Sequence, residues 1–288
     1  MSMVWVNDQL VDSDVARISP LDHGFTVADG VFETLKVVDG IPFAVDRHLT
    51  RLQRSANGLG LGEVDLPLVT KAITETLAAN SYLDIGRLRI TITSGAGPLG
   101  SNRGTAHHTL TVVTAPVTPW PETTSIVVVP WRRNERSAVS GLKTTSYAEN
   151  VVALQAAQNC GYSEAIFLDT RDRLSEGTGT NIFFVTNGVV KTPSMECGVL
   201  AGITRDLVLE MCVAHDFSCE EGEFSIAELV KADEIFITSS TRDIHPVTSL
   251  ARMGPDHAIV EEIQLKTGPI TTKLRRVFSE DYPAGVNP

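Results

Sequence analysis

The chain has 288 residues, a formal net charge of −11 at pH 7, and 42% hydrophobic against 20% charged residues. This composition is typical of a globular protein, no apolar run is long enough to span a membrane, and the acidic charge argues against nucleic-acid binding. The four cysteines lack C-x-x-C spacing and no secretory signal is recognisable, so we expect reduced thiols in the cytoplasm and no metal site.

Strands joined by tight turns are predicted at the start of the chain. Asn7-Asp8 and Asp39-Gly40 each lie between apolar runs, which predicts two hairpins. Two amphipathic helices are predicted over HLTRLQRSANGLG and LPLVTKAITETLAANS, and the first is expected to end at Gly58. The segments GRLRITITSG and HTLTVVTAP alternate apolar and polar residues, as strands do.

A proline-bearing stretch separates this part from the rest. APVTPWPETT, residues 115–124, has three prolines, which remove backbone donors and stiffen a connector. We therefore predict a small N-terminal domain over 1–116, a linker over 117–124 and a larger C-terminal domain over 125–288. The second part mixes strands such as EAIFLDT with helices such as ITRDLVLEMCVAH, so both domains are expected to be α/β or α+β.

Lys143 lies just before a predicted helix. Ser146 and Glu149 form an S-x-x-E pattern typical of a capping box, so this helix is expected to begin at Ser146. Taken alone, Lys143 is better explained as a solvated loop lysine, because lysines are mostly exposed. Its position at the end of an irregular segment would also let it project into a cleft.

Three further stretches carry polar groups suited to an anion or a cofactor. Glu176 precedes a Gly/Thr-rich turn, and Thr204 lies at the start of a helix, where amides and the helix dipole favour a phosphate. The hydroxyls of Ser239-Ser240-Thr241 end a strand and suit an anion. Each pattern alone is better explained as a turn carboxylate, a helix cap or a polar strand end.

The order of these patterns resembles one family. Lys143 is followed by S-E-G-x-G-x-N, by G-I-T-R and by a hydroxyl cluster before P-V, while FTVADGVFETLKV and DRHLTRLQRSA match an earlier strand and helix. This resembles the fold-type IV pyridoxal-phosphate enzymes: branched-chain and D-amino-acid aminotransferases, (R)-amine transaminases and aminodeoxychorismate lyase. The resemblance implies a homodimer of α/β chains. Each would have a small α+β domain and a larger α/β domain, with the cofactor in the cleft between them.

The resemblance also implies a role for each matching residue. Lys143 would form the internal aldimine with pyridoxal 5′-phosphate (PLP) and move the substrate proton, and Glu176 would face the pyridine nitrogen. Tyr147 would contact the phenolic oxygen of PLP, although the branched-chain enzymes carry this tyrosine one residue later. The implied phosphate ligands are Arg51, Ile203, Thr204 and Ser240.

Substrate residues are expected on the N-terminal strands and the loop after ITITSG. Bacterial D-amino-acid aminotransferases bind the substrate carboxylate with a tyrosine, an arginine and a histidine. Phe32, Leu99 and Ser101 stand at those positions here. A standard enzyme of that kind is not expected, because a buried carboxylate without donors costs on the order of several kcal/mol. The predicted substrate-side residues are Phe32, Arg87, Leu99 and Thr241.

Arginines offer other carboxylate ligands. Arg87 and Arg89 point to one side of a strand, because strand side chains alternate. The branched-chain enzymes carry a cleft arginine near Arg87, which favours a carboxylate ligand. The alternative is a pair of solvated edge-strand arginines. Arg103, later in the loop, is a further candidate.

Two reactions fit this pattern. The favoured one is transamination between an amino acid or primary amine and a keto acid. The alternative is a lyase reaction on 4-amino-4-deoxychorismate that gives 4-aminobenzoate and pyruvate. Both would use Lys143 and Glu176 in the same way up to the carbanion. A non-catalytic binding protein would lack one of these residues, so we predict a PLP-dependent enzyme acting on small molecules, with no nucleic-acid, membrane or metal partner.

Overall fold

The chain forms two units, each built around its own β-sheet. The computed structural model describes residues 2–80, 84–283 and 286–288. The first unit comprises Met1–Pro119, Leu142–Ser146 and Ala284–Pro288, and the second comprises Trp120–Gly141 and Tyr147–Pro283. These units differ from the predicted 125–288 domain, because two short segments of that range group with the N-terminal residues.

The first unit is an antiparallel sheet with helices. Its six strands run in the order β2-β1-β6-β5-β3-β4. The elements are β1 Met3–Val6, β2 Gln9–Asp12, α1 His23–Thr26, β3 Gly30–Val38, β4 Ile41–Pro42, α2 Val45–Leu59, α3 Leu66–Ala79, β5 Ile85–Thr93 and β6 Thr109–Pro116. Both predicted hairpins are confirmed: β1 pairs with β2 around Asn7-Asp8, and β3 pairs with β4 around Asp39-Gly40.

The two faces of this sheet differ in chemistry. Strand side chains alternate, so Leu35, Leu88 and Ile90 face the apolar core that includes residues of α2 and α3. Phe32 and Arg89 alternate with these core residues and lie on the opposite face, where the arginine is exposed. The sheet therefore has one apolar face and one face that carries polar and cationic groups.

Residues 142–146 extend this sheet beside the start of β3. Thr144 forms an antiparallel bridge with Val31. The Phe32 amide donates to the Lys143 carbonyl at 3.0 Å, and the Thr145 amide donates to the Gly30 carbonyl at 2.8 Å. These bonds explain why the segment groups with the first unit, although it lies far along the sequence.

The predicted end of α2 at Gly58 is wrong by one residue. The helix ends at Leu59, and Gly60 adopts a left-handed conformation at its C-terminus, with φ of 76°. Gly58 lies inside the helix. A Cβ atom there would lie 2.6 Å from Leu142 Cδ2, so the glycine allows close packing rather than helix termination.

The second unit holds a nine-stranded mixed sheet. Eight strands run in the order β12-β11-β10-β13-β14-β7-β8-β9, and β15 pairs with β14 outside this order. Its strands are β7 Thr124–Arg133, β8 Glu164–Asp169, β9 Leu174–Gly177, β10 Asn181–Thr186, β11 Val189–Pro193, β12 Cys219–Gly222, β13 Glu234–Ser239, β14 Asp243–Met253 and β15 Ile259–Gln264. Its α-helices are α4 Ala148–Asn159, α5 Ile203–Ala214, α6 Ile226–Val230 and α7 Pro269–Asp281. In the described part of the chain, no helix is long and apolar enough to cross a membrane.

The predicted capping box at Ser146 and Glu149 is wrong. Helix α4 begins at Ala148 with Tyr147 at its N-cap, and no side chain caps it. The Ser146 hydroxyl instead donates to the Ala28 carbonyl at 3.4 Å. Residues up to Ser146 are bonded beside β3, so the helix can begin only after them.

Candidate functional site

Lys143 lies on the cationic face of the first sheet, beside β3. Its backbone is held at both ends, because the Lys143 amide donates to the Ser55 hydroxyl at 3.1 Å and its carbonyl accepts from Phe32. The ammonium nitrogen lies 4.3 Å from the centroid of the Phe32 ring. A half-buried amine is thus fixed at its base while its side chain extends over an aromatic ring.

Arg89 contacts the same aromatic ring. Its guanidinium carbon lies 3.8 Å from the centroid of the Phe32 ring. Arg87, two residues earlier on β5, lies opposite Lys36 and is exposed. Of the two arginines expected on this strand, Arg89 is therefore the one that shares an aromatic neighbour with Lys143. This arrangement brings together an amine and a cation able to bind a carboxylate.

Arg51, predicted as a phosphate ligand, binds a carboxylate of its own unit. Its Nε donates to Glu33 Oε1 at 2.8 Å and its Nη2 donates to Glu33 Oε2 at 2.7 Å, while His48 Nδ1 lies 2.7 Å from Glu33 Oε2. All three side chains are buried. Within the part of the chain that the structure describes, His48 Nε2 is buried without a hydrogen-bond partner.

Charge and burial set the protonation of this triad. Burial alone would raise the pKa of Glu33, but the charge and hydrogen bonds of Arg51 lower it to about 2. Burial lowers the pKa of His48 in spite of the neighbouring carboxylate. Glu33 and His48 were not among the predicted site residues, although both stand in the quoted motifs VFETL and HLTRL. The available signal was an acidic residue, Glu33, on the core-facing side of β3.

The loop predicted to bind substrate carries Leu99 and Arg103. Leu99 is 81% exposed. Arg103 donates to both oxygens of Asp29 at 2.6 Å and to the carbonyls of Leu59 and Gly60. Arg103 therefore fixes this loop to the C-terminus of α2, which makes it a poor candidate for the substrate carboxylate.

Glu176 lies on β9 in the second unit and is half-buried. Its Oε2 accepts from the Leu200 amide at 2.8 Å and from Asn181 Nδ2 at 3.3 Å. Arg133 Nε lies 3.8 Å from Glu176 Oε1. Asn181 also donates to the Leu200 carbonyl at 2.9 Å, so one amide side chain fixes both the carboxylate and the segment before α5.

Helix α5 begins next to Asn181. Gly202 is its N-cap, and among the described residues no side chain caps the helix or accepts from the amides of Ile203 and Thr204 in its first turn. Such a helix start binds anions well. A Cβ atom at Gly202 would lie 1.9 Å from Asn181 Oδ1, which explains why a glycine stands here.

Replacement of Gly202 with alanine is expected to displace Asn181 and loosen Glu176. Overpacking of this kind costs about 1–3 kcal/mol of stability. Gly179→Ala is the matched control, because a Cβ atom at that position would have no described atom within 4 Å apart from those of residue 179 and its chain neighbours. Thermal unfolding of the two variants should show a lowered melting temperature for Gly202→Ala alone. Equal melting temperatures would contradict the assigned contact.

The remaining predicted residues lie at the ends of elements of the second unit. Ser240 and Thr241 are half-buried in the turn between β13 and β14, and Tyr147 is half-buried at the start of α4. The turn continues into Arg242, whose guanidinium carbon lies 3.7 Å from the centroid of a Trp120 ring. Burial lowers the pKa of Arg242. The second unit thus holds two groups of polar residues. Glu176 and its amide partners lie at β9, and a hydroxyl-bearing turn lies between β13 and β14.

Known proteins are similar to this chain in sequence. The model of the family described as "Amino-transferase class IV" matches residues 30–250. A Methanocaldococcus jannaschii protein assigned by name to the branched-chain-amino-acid aminotransferases is 33% identical over 285 residues, which cover 96% of this chain and 95% of the relative. The aminodeoxychorismate lyase of Bacillus subtilis is 30% identical over 287 residues, with coverage of 97% and 94%.

Known structures share the fold. The crystal structure of the branched-chain aminotransferase from Thermoproteus uzoniensis with norvaline matches with a TM-score of 0.87 at 28% identity, over 97% of this chain and 94% of that chain. This match confirms the predicted α/β fold, which the structure builds from two sheets. Together with the family model, it also confirms the resemblance to fold-type IV enzymes. The chain therefore belongs to the class IV aminotransferase family.

Proposed function

We propose that the protein is a PLP-dependent aminotransferase that transfers an amino group between an amino acid or primary amine and a keto acid. The family to which the chain belongs is PLP-dependent. The observation that carries the proposal is the Lys143 amine next to the Phe32 ring that Arg89 also contacts. An amine able to react with a carbonyl is thereby combined with a cation suited to a carboxylate.

The residues present suit PLP. The uncapped first turn of α5 offers the amides of Ile203 and Thr204 to a phosphate, and Ser240 would add a hydroxyl. Glu176 offers a carboxylate to the ring nitrogen. Within the proposal, Arg51 keeps its role near the phosphate and Glu33 holds its guanidinium in one orientation. Tyr147 is proposed to contact the phenolic oxygen.

The chemistry divides between the cofactor and the chain. When bound, PLP supplies an aldehyde that reacts with amines and a ring that accepts electrons. Lys143 would hold the cofactor through its amine and then act as the base that moves the substrate proton. Glu176 would stabilise the protonated ring nitrogen. Arg89 would hold the substrate carboxylate.

The reaction class is tested by a donor screen. The protein loaded with PLP is mixed with L-amino acids, D-amino acids or (R)-1-phenylethylamine, and the formation of pyridoxamine phosphate and keto product is followed by mass spectrometry. Formation of both from at least one donor supports the proposal. The lyase alternative would instead be supported if no donor reacted while 4-amino-4-deoxychorismate gave 4-aminobenzoate and pyruvate.

Arg89→Met is expected to weaken carboxylate recognition. Loss of a charge-assisted contact corresponds to roughly a 10–100-fold fall in kcat/KM for a carboxylate substrate. An amine donor without a carboxylate should be affected much less. Arg87→Met is the matched comparison, because this arginine lies farther along the same face and should give the smaller effect. A larger fall in kcat/KM in Arg87→Met than in Arg89→Met would instead assign carboxylate binding to Arg87, the residue predicted from the sequence.

We also propose a cytoplasmic homodimer. Phe25 and Leu99 are 79% and 81% exposed in the single chain, so both are available to a second copy. A second copy covering them would give Leu99 a place near a substrate site, as the sequence predicts. The four cysteines are free thiols, as suits a reducing compartment. Light scattering that gave the mass of a single chain would contradict the dimer.

A further inference from the structure

Arg133 ends β7 and is held firmly within the second unit. Its guanidinium carbon lies 4.5 Å from the centroid of the buried Phe167 ring, and its side chain is 17% exposed. The Nη2 atom donates to Asn150 Oδ1 at 3.1 Å. The same Asn150 donates to the Thr178 carbonyl at 2.7 Å, so Arg133 is connected to the turn that follows Glu176.

The guanidinium is also aimed at the carboxylate of Glu176. Arg133 Nε lies 3.8 Å from Glu176 Oε1, which is too far for a hydrogen bond but close for two charges. Among the residues that the structure describes, Nε is buried and has no hydrogen-bond partner. A buried donor without an acceptor is destabilising, so the position of Nε calls for an explanation.

Glu149 does not supply that explanation. Its Oε2 lies 3.9 Å from Arg133 Nη1, and its side chain is 48% exposed, so water screens this pair. The Glu176 side chain is only 13% exposed. Its other oxygen, Oε2, is fixed by Leu200 and Asn181. The Arg133 charge therefore acts mainly on Oε1 of Glu176.

We propose that Arg133 is a positioning residue that keeps Glu176 ionised and oriented toward the ring nitrogen of PLP. This inference rests on the proposed function. Arg133 does not touch the cofactor in this role. It acts on the carboxylate, whose affinity for a protonated ring nitrogen depends on its charge and direction. Two amides would then fix Oε2 of Glu176 by hydrogen bonds, and the charge of the Arg133 guanidinium would orient Oε1.

The test compares PLP with 1-deazapyridoxal 5′-phosphate, in which carbon replaces the ring nitrogen. Dissociation constants of both compounds are measured by fluorescence titration of the full-length protein after removal of bound cofactor. The variants are Arg133→Gln, Arg133→Lys and the control Arg132→Gln. Arg132 is the neighbouring arginine on the same strand and pairs with the exposed Asp172, away from Glu176.

The preference for PLP over the deaza compound is the deciding quantity. In Arg133→Gln it should fall by about tenfold, as expected for one charge-assisted contact. Arg133→Lys should lie between this variant and the wild type, and Arg132→Gln should match the wild type. A purely structural role would instead weaken both compounds equally and leave the preference unchanged, which would overturn the inference.

Two further results separate this inference from the proposed function. A wild-type protein that bound neither compound would overturn the proposed function itself. A wild type that bound both compounds equally would leave PLP binding intact but overturn the roles of Glu176 and Arg133. If circular dichroism showed that Arg133→Gln does not fold, the result for Arg133→Lys would decide the test. An unchanged preference for PLP over the deaza compound in Arg133→Lys would contradict the role of Nε.

Discussion

Replacement of Lys143 with alanine is expected to abolish amino-group transfer while leaving the fold intact. The side chain is half-buried, and the backbone bonds that fix residue 143 to Phe32 and Ser55 do not involve the lost amine. Because this amine is proposed both to hold the cofactor and to move the substrate proton, its loss should reduce the rate by at least about 10³-fold. The visible absorbance of the lysine-bound cofactor should disappear from the same preparation.

The matched control is Lys71→Ala on α3. Lys71 is 60% exposed and pairs with Glu75 on the same helix, so its loss should leave both absorbance and transfer unchanged. Addition of methylamine to Lys143→Ala offers a second check, because a small free amine can carry the proton in place of the missing lysine amine. Wild-type absorbance and transfer in Lys143→Ala would show that another lysine carries the chemistry.

Local patterns in the sequence were sufficient for much of the first unit. The turns at Asn7-Asp8 and Asp39-Gly40 were predictable because residues of this kind tolerate positive φ, and the structure has φ of 58° at Asn7 and 75° at Gly40. The alternation that put Arg89 on one strand face was equally local. What alternation could not reveal was which of two arginines on that face lies near Lys143.

The surroundings of Lys143 were beyond local reasoning. Residues 142–146 bind beside β3, more than a hundred positions earlier in the chain, and no turn or periodicity signals such a contact. The false capping box at Ser146 has the same origin. A local S-x-x-E pattern predicted a helix start that the long-range bonds to β3 exclude, while a real capping box occurs at Ser225 and Glu228.

Arg51 shows a different limit of prediction from sequence motifs. The motif predicted a phosphate ligand, but a motif does not reveal which groups orient an arginine. The structure supplies them in Glu33 and His48, which complete a buried triad with Arg51. The alternation of β3 predicts that Glu33 faces the apolar side, where an isolated carboxylate would be costly. A buried acidic residue on a core-facing position was the signal that a cationic partner must lie nearby.

Replacement of Glu33 with glutamine should therefore lower the free energy of unfolding by about 3–5 kcal/mol at pH 7, because it leaves the Arg51 charge buried without its carboxylate. Glu33 is 0% exposed, so solvent cannot compensate. Urea unfolding can be followed by tryptophan fluorescence, to which Trp5, a buried residue of the same unit, contributes. Glu75→Gln, at a 45% exposed side chain, is the control and should change stability by less than about 0.5 kcal/mol.

The effect of Glu33 should depend on pH in a defined direction. Its pKa is about 2 in the folded protein against an ordinary value of 4.5, so the ionised form is stabilised by folding. The stability that Glu33 contributes is fully present above pH 4.5 and is lost as the pH falls toward 2. The difference between the wild type and Glu33→Gln should therefore shrink over that interval. His48, whose pKa is also lowered, adds its own loss of stability to the wild type as the pH falls below 6.5.

A double variant separates the lost charge pair from lost packing. Glu33→Leu combined with Arg51→Met removes both charges and keeps the volume roughly constant, so it should be less destabilising than Glu33→Gln alone. The same double variant should bind PLP more weakly than the wild type, because Arg51 is proposed to act at the phosphate. If the double variant were the less stable of the two, the Glu33–Arg51 pair would not be the source of the single variant's loss. Retained PLP affinity would in turn exclude Arg51 from the phosphate site.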